Sequence, residues 1–523
     1  MTTTSIAARP AIPPPPGGPA IPQDLMTSED PVVSGVSALW TEMLGVETAS
    51  PDDDFARLGG TSLMRGRLAL RLREKFGVGL SAYALHEAHT LGDFIEAVRR
   101  ARSGAQGEGR AIAGPETWRE EAHLPEDIIP AKGRPVTKGK RLEEMRCIFL
   151  TGATGFLGAF ILRDLLRRTT AQVACLVRAE DPEAALARIR QTLVKYDLWE
   201  EPFASRIEPV PGDLGAPGLG MDARQRQVLA GRAEAIFHIG AHVNFVQTYE
   251  ALRAANVGGT TEVLRLAAMG PTPVHYVSTI AAFGPTGYFK NTQVLREDAD
   301  LDDHLECLRY DLGYSATKWV AEKRVWEAHA RGLAVNVYRP GFVMGHSETG
   351  VGNPDDFMGR FILGCIEIGC CPILERQGKE MVTVDFASAA LLGIASHEGA
   401  VGKAYHLVPP TPEDNTDMEG IYTMLDQCGH HLSRVPYEAW VDRLMQHPRA
   451  AENPLCALLP MLYEKVYGGS ATRWELHEGQ PVYDAANTRE AIASLGLAFR
   501  RVDREMLSLH LDDWRKKGLL AAR

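Results

Sequence analysis

"CIFLTGATGFLGAFILRDLL", Cys147 to Leu166, runs from apolar residues through Gly152, Gly155 and Gly158 into an amphipathic segment. A buried strand turning sharply into a helix fits this order. Glycine permits the tight turn and the close approach of backbone to a ligand, and the free N–H groups of the helix start attract a pyrophosphate. The glycines alone would suit any tight turn, so their surroundings decide.

Downstream, "QVACLV", "RIEPVPGDL", "AIFHIGA", "PVHYVST" and "LAVNVYRPG" are short strand-like runs. They alternate with helical spacing over 159–168, 182–196, 249–269 and 315–330. Such alternation implies an α/β fold, a Rossmann-type doubly wound parallel sheet covered on both faces. Beyond about residue 345 the alternation weakens, which predicts a smaller C-terminal substrate subdomain within a domain spanning 146–523.

The second strand ends "CLVRAED". An acid at this place would bind a ribose 2′-hydroxyl, whereas Arg178 meets a 2′-phosphate, so NADPH is expected over NADH. Arg188 in the next helix offers a second cation, with a solvated surface arginine as the alternative. Asp213 and Leu214 follow the third strand, where a side chain reaches the adenine.

Tyr314 and Lys318 in "LGYSATKWVAEK" stand at i and i+4, one turn apart on one helix face. An ammonium there stabilises a phenolate and is expected to lower the tyrosine pKa, making it a better acid near neutrality. Thr279 falls at the end of the strand "HYVST", in the crevice where such sheets bind ligands, and adds a second donor to a substrate oxygen. Ser278 is the competing hydroxyl; alternation turns it to the opposite side, and Thr279 is preferred. The acidic stretch 285–312 before Tyr314 is a candidate lid or an ordinary surface insertion.

Upstream, 103–145 is polar and Gly-rich and reads as a linker. Residues 31–102 carry helical periodicity, with Val33, Val36, Leu39, Trp40 and Leu44 on one side of a first helix and Thr90 as cap of the last. Residues 1–30 are Pro-rich and read as a disordered tail. Between the first two helices lies "DDDFARLGGTSL", whose Ser62 a helix cap alone would explain. Arg65, Arg67, Arg71 and Arg73 after it read as a solvated face.

The 523 residues carry a formal charge of −11, which argues against a nucleic-acid partner. No apolar run is long enough to cross a bilayer, and the N-terminus lacks a secretory signal. The eight cysteines show no zinc spacing, so no metal is expected and the chain reads as cytoplasmic.

"TGATGFLG", "VSTIAAFG", "YSATK" and "YRPGFVMG" together resemble an extended short-chain dehydrogenase/reductase. With "LVRAED", "GDL" and "FHIGAHVNF" the segment is similar to the thioester reductase domains of nonribosomal peptide synthetases and carboxylic acid reductases. The family more often has two alanines where Gly240 and Ala241 stand. The resemblance implies Thr279, Tyr314 and Lys318 as catalytic triad. It implies Gly152, Thr154, Gly155, Phe156, Leu157, Gly158, Arg178, Arg188, Asp213 and Leu214 as NADPH contacts.

"DDDFARLGGTSL" resembles the attachment site of a peptidyl carrier protein, a small four-helix bundle, with Ser62 bearing 4′-phosphopantetheine. Thr61 stands where many such carriers have Asp or His. The expected activity is reductive release of an acyl or peptidyl thioester as an aldehyde, or onward to the alcohol. A phosphopantetheinyl transferase is the expected modifying partner. Loading is expected in trans, from an adenylating enzyme or an upstream synthase module. The alternatives are a redox-silent cyclising domain, an acyl-presenting carrier scaffold, and a nucleotide-sugar dehydrogenase or epimerase.

Overall fold

The computed structural model describes residues 28–60, 62–78, 80, 82–103, 113–131, 141–270, 272–374, 377–397, 400–450, 452–467 and 469–521. The expected tail, apart from its last residues, and two stretches of the expected linker lie outside them. Two compact units form: a helical one from residues up to 80 and from 87 to 103, and a larger one that takes in 82–86 and everything from residue 113 onward.

In the helical unit, α1 (Pro31–Leu44) starts with Asp30 as cap and Pro31 in the first turn, and buries Val33, Val36 and Trp40. α2 (Ser62–Phe76) begins at the marker serine, and α3 (Ala82–Glu87) follows in the chain. α4 (Leu91–Arg102) opens on Thr90, whose hydroxyl and Asp93 make a reciprocal capping box. Trp40, Phe55 and Phe94 form the aromatic centre, with ring centroids 5.1–5.8 Å apart. Gly60 is pressed against this centre: a Cβ there would lie 2.3 Å from the Phe55 ring. Gly60 therefore lets the chain pass Phe55 at close range, while Gly59 takes a left-handed φ of +91°. Arg65 corrects the reading of a solvated face. Its guanidinium lies over Phe55 and Phe94, donates to the Ala88 carbonyl at 2.7 Å, and has its pKa lowered by burial.

The larger unit is built on seven parallel strands: β1 (Cys147–Thr151), β2 (Gln172–Val177), β3 (Ile207–Pro211), β4 (Ala235–His238), β5 (Val274–Val277), β6 (Val335–Pro340) and β7 (Ala404–Leu407). Their order is 7-6-5-4-1-2-3, so the chain reverses direction across the sheet at β1 and β4. Alternate side chains feed two cores. Ile148 and Leu150 face α5 (Phe156–Arg168) and α6 (Pro182–Lys195), while Phe149 faces α7 (Gly259–Met269) and α8 (Gly313–Ala330). Burial on both faces explains why the strands read as continuous apolar runs.

Three expectations change. β7 joins the main sheet although it lies beyond residue 345; its four residues are all buried, but so short a strand carries no period of its own. Residues 113–131 are not a free linker, for Trp118, Leu124 and Ile128 are buried in the larger unit's cores. Stretch 285–312 is pinned rather than lid-like. Val294–Leu295 pairs with Val482–Tyr483, and Leu301, Leu305 and Leu308 are buried. Glu297 accepts from the backbone N–H groups of His406, Asn487 and Thr488. Its acidic letters hid a leucine spacing that buries one side.

Candidate active site: a cleft at the strand ends

The C-terminal ends of β1 to β6 open on one cleft of about 760 Å³. At its first end, Gly152 has φ +84°, a left-handed conformation that glycine tolerates. A Cβ on Gly158 would lie 2.0 Å from the Gly152 carbonyl oxygen, so only glycine lets α5 start this close to β1. Gly155 precedes α5 with no side-chain cap, which leaves the first N–H groups of the helix facing the cleft. Arg178 at the end of β2 is exposed, and Arg188 donates to its carbonyl, bringing both cations to one rim. Asp213 and Leu214 line the same end, with Asp213 Oδ1 accepting from Gly215 N at 2.8 Å. A glycine cradle and an uncapped helix start fit the pyrophosphate of a dinucleotide, and the two arginines add positive charge at the rim.

Mid-cleft stand Thr279, Tyr314 and Lys318. Thr279 is half-buried, and its hydroxyl also caps the turn after β5 by accepting from Ala281 N. Ser278 is taken up elsewhere, donating at 2.5 Å to Glu322, which Arg339 pairs in a fully buried ion pair. Ser278 also lines the cleft, but its hydroxyl is committed to this buried carboxylate. Burial alone raises the Glu322 carboxyl, but Arg339 holds it below the usual range.

Lys318 is 2% exposed, donates to the Val277 carbonyl at 2.7 Å and lies 4.2 Å from the centre of the Tyr276 ring. Burial brings its pKa down to about 7. The expected lowering of Tyr314 is overturned, since burial raises its pKa above the ordinary phenol value. The phenol is thus held neutral, a hydrogen-bond donor ready before any charge develops.

The C-terminal segment matches the family described as male sterility protein over residues 150–391. The N-terminal segment matches that described as phosphopantetheine attachment site over 34–98. The terminal R domain of the myxalamid PKS–NRPS biosynthetic pathway is 36% identical, with a TM-score of 0.69 over 78% of this chain and 99% of its own. The chain belongs to the carrier–thioester reductase family. The nonribosomal peptide synthetase FrzA of a Cladobotryum species is 41% identical over 96% of this chain and 48% of its own length. The aldehyde reductase lnaA of Aspergillus flavus is 40% identical over 93% and 47%. The chain spans about half the length of these curated relatives. Its two segments are thus those of a phosphopantetheine-attachment family and of a nicotinamide-dinucleotide-binding reductase family.

Several buried residues behind the cleft escaped the sequence reading. Thr151 Oγ1 meets His238 Nδ1 at 2.7 Å, and His238 Nε2 meets Thr260 Oγ1 at 3.0 Å. Thr260 donates to the Asn256 carbonyl; the Asn256 amide donates to Thr317 Oγ1, which donates to the Tyr314 carbonyl. This buried chain ties the glycine loop to the helix of Tyr314. Burial and the nearby Lys318 bring the His238 pKa down to about 3, so it stays neutral. Asn256 sits in a π-turn, Ala254–Gly258, that interrupts the helix expected to run unbroken over 249–269. A His ending β4 beside a Thr ending β1 was the one available signal.

At the far end Phe342, Phe357, Lys379, Trp474 and His477 line the wall, drawn from a span of more than a hundred residues. Ser62 opens α2 in the carrier unit; its side chain and Thr61 fall outside the described residues. Among the described residues no helix is long and apolar enough to cross a membrane.

Proposed function

We propose that this protein reduces an acyl or peptidyl thioester, held on the carrier, to an aldehyde with NADPH. The observation that carries this reading is one cleft in which a glycine cradle with two arginines precedes Thr279, a neutral Tyr314 and a buried Lys318. Bound at the cradle, NADPH supplies the hydride; phosphopantetheine on Ser62 supplies the thiol that carries the acyl group.

The residues do the rest. The Tyr314 hydroxyl and the Thr279 hydroxyl donate to the thioester carbonyl oxygen, where negative charge gathers as the carbon is reduced. Tyr314 then gives up its proton to that oxygen, and the Lys318 ammonium offsets the phenolate left behind. Collapse of the resulting hemithioacetal frees the aldehyde and a thiol. Arg178 and Arg188 favour the 2′-phosphate and so NADPH.

An adenylating enzyme or an upstream synthase module loads the acyl group, and a phosphopantetheinyl transferase modifies Ser62. The buried cysteines suit a reducing cytoplasm. Intact-mass spectrometry after incubation with coenzyme A and such a transferase tests the carrier. One phosphopantetheine adduct on the wild type and none on Ser62→Ala is expected. Reduction of a free pantetheine thioester is expected to persist in Ser62→Ala, since the serine only holds the substrate. An unmodified wild type would end the carrier half of this reading.

A further inference from the structure

Beyond β6 the segment Phe342–Met344 pairs in parallel with Met381–Thr383, and this sets Lys379 into the cleft wall past Tyr314. Lys379 is 2% exposed. Its Nζ lies 4.3 Å from the Trp474 ring centre and 5.6 Å from that of Phe342, while Trp474 stacks on Phe357 at 4.5 Å. Among the described residues the ammonium meets no oxygen acceptor within hydrogen-bonding reach.

His477, Asp311, Gln480 and Tyr483 are hydrogen-bonded to one another. His477 Nε2 pairs with Asp311 Oδ1 at 3.1 Å, Gln480 Nε2 with His477 Nδ1 at 2.7 Å, and Tyr483 donates to Gln480 Oε1 at 3.3 Å. Glu380 is met by the Asn415 amide at 3.4 Å. Burial, opposed by the adjacent Glu380, brings Lys379 down to about 8, so it still carries its proton at neutral pH. Aromatic faces replace part of a cation's hydration, but they accept no N–H bond. When an acyl chain fills the cleft and expels the remaining water, this ammonium needs an oxygen.

We propose that Lys379 is a specificity-determining residue, binding a hydrogen-bond-accepting oxygen, carboxylate or carbonyl, on the distal part of the acyl group. The inference rests on thioester reduction in this cleft. It makes the far end selective for oxygenated acyl chains rather than plain alkyl ones, with Phe342, Phe357 and Trp474 holding the intervening carbons.

The test compares pantetheine thioesters of hexanoic, 5-oxohexanoic and glutaric acids on the full chain, as kcat/KM for NADPH oxidation. The wild type is expected to prefer at least one oxygenated acyl group over hexanoyl by about tenfold or more, the scale of a charge-assisted hydrogen bond. Lys379→Met is expected to erase that preference while leaving hexanoyl within about twofold. A glutaryl advantage identifies a carboxylate ligand, and a 5-oxohexanoyl advantage a carbonyl. Equal rates on all three in the wild type, or an equal loss on all three in Lys379→Met, would overturn the proposal.

Should the variant not fold, calorimetric binding of the corresponding pantetheine amides to the wild type decides. Tighter binding of an oxygenated amide supports the site, and equal binding ends it. That binding is measured without turnover. A chain that reduces no thioester yet binds the oxygenated amides more tightly would defeat the catalytic reading and leave this site standing.

Discussion

The two ends of the cleft are built by different means. The cofactor end is backbone: three glycines, an uncapped helix start and the ends of β1, β2 and β3, gathered within 152–214. The acyl end is side chains, Phe342, Phe357, Lys379 and Trp474, brought together by short strand pairs and irregular segments across more than a hundred residues. A ligand common to many enzymes can be held by backbone geometry that tolerates few sequences. A substrate particular to one enzyme is met by side chains that any helix or loop can present.

Exchanges at each end should separate these roles. The largest effect belongs between them: Tyr314→Phe should lower kcat about 10²–10⁴-fold, the range of a positioned proton donor, with NADPH affinity unchanged by titration. A loss under tenfold would remove Tyr314 from proton transfer. At the cofactor end, Arg178→Ala should weaken NADPH by about 10–100-fold and leave NADH nearly untouched, as one charge-assisted contact to the 2′-phosphate predicts. An equal loss for both cofactors would mean that Arg178 only shapes the rim.

The smallest effect is a shift with pH. Lys318 loses its proton as pH rises through about 7, so kcat/KM should fall on the alkaline side of neutrality. The ammonium is present below that value and absent above it. Lys318→Arg, charged at any such pH, should flatten the limb if the variant retains activity. A limb that survives in that variant belongs to another group.

This division also explains what could be read from the chain. The sheet, the glycine loop, Arg178 and the Tyr314–Lys318 pair were legible because a strand, a helix start and an i,i+4 pair write local spacings. Strand alternation favoured Thr279 over Ser278; both line the cleft, and the structure gives Ser278 a buried partner in Glu322. The acidity of Tyr314 was misread because spacing shows the ammonium but not the burial that raises the phenol's pKa. The lid alternative for 285–312 failed because acidic letters masked the buried Leu301, Leu305 and Leu308. Lys379, Trp474 and Asn256 left no local signal; their neighbours are set by tertiary contacts alone.

The central claim is that hydride transfer, not simple release, frees the acyl group. With an acyl-loaded, phosphopantetheinylated chain and the aldehyde trapped as its oxime, NADPH consumed can be counted against thiol released. One NADPH oxidised and one oxime formed for each thiol freed, with neither in Tyr314→Phe on the same timescale, is the expected result. Thiol freed at the same rate without NADPH, giving an acid or a cyclic product, would contradict it.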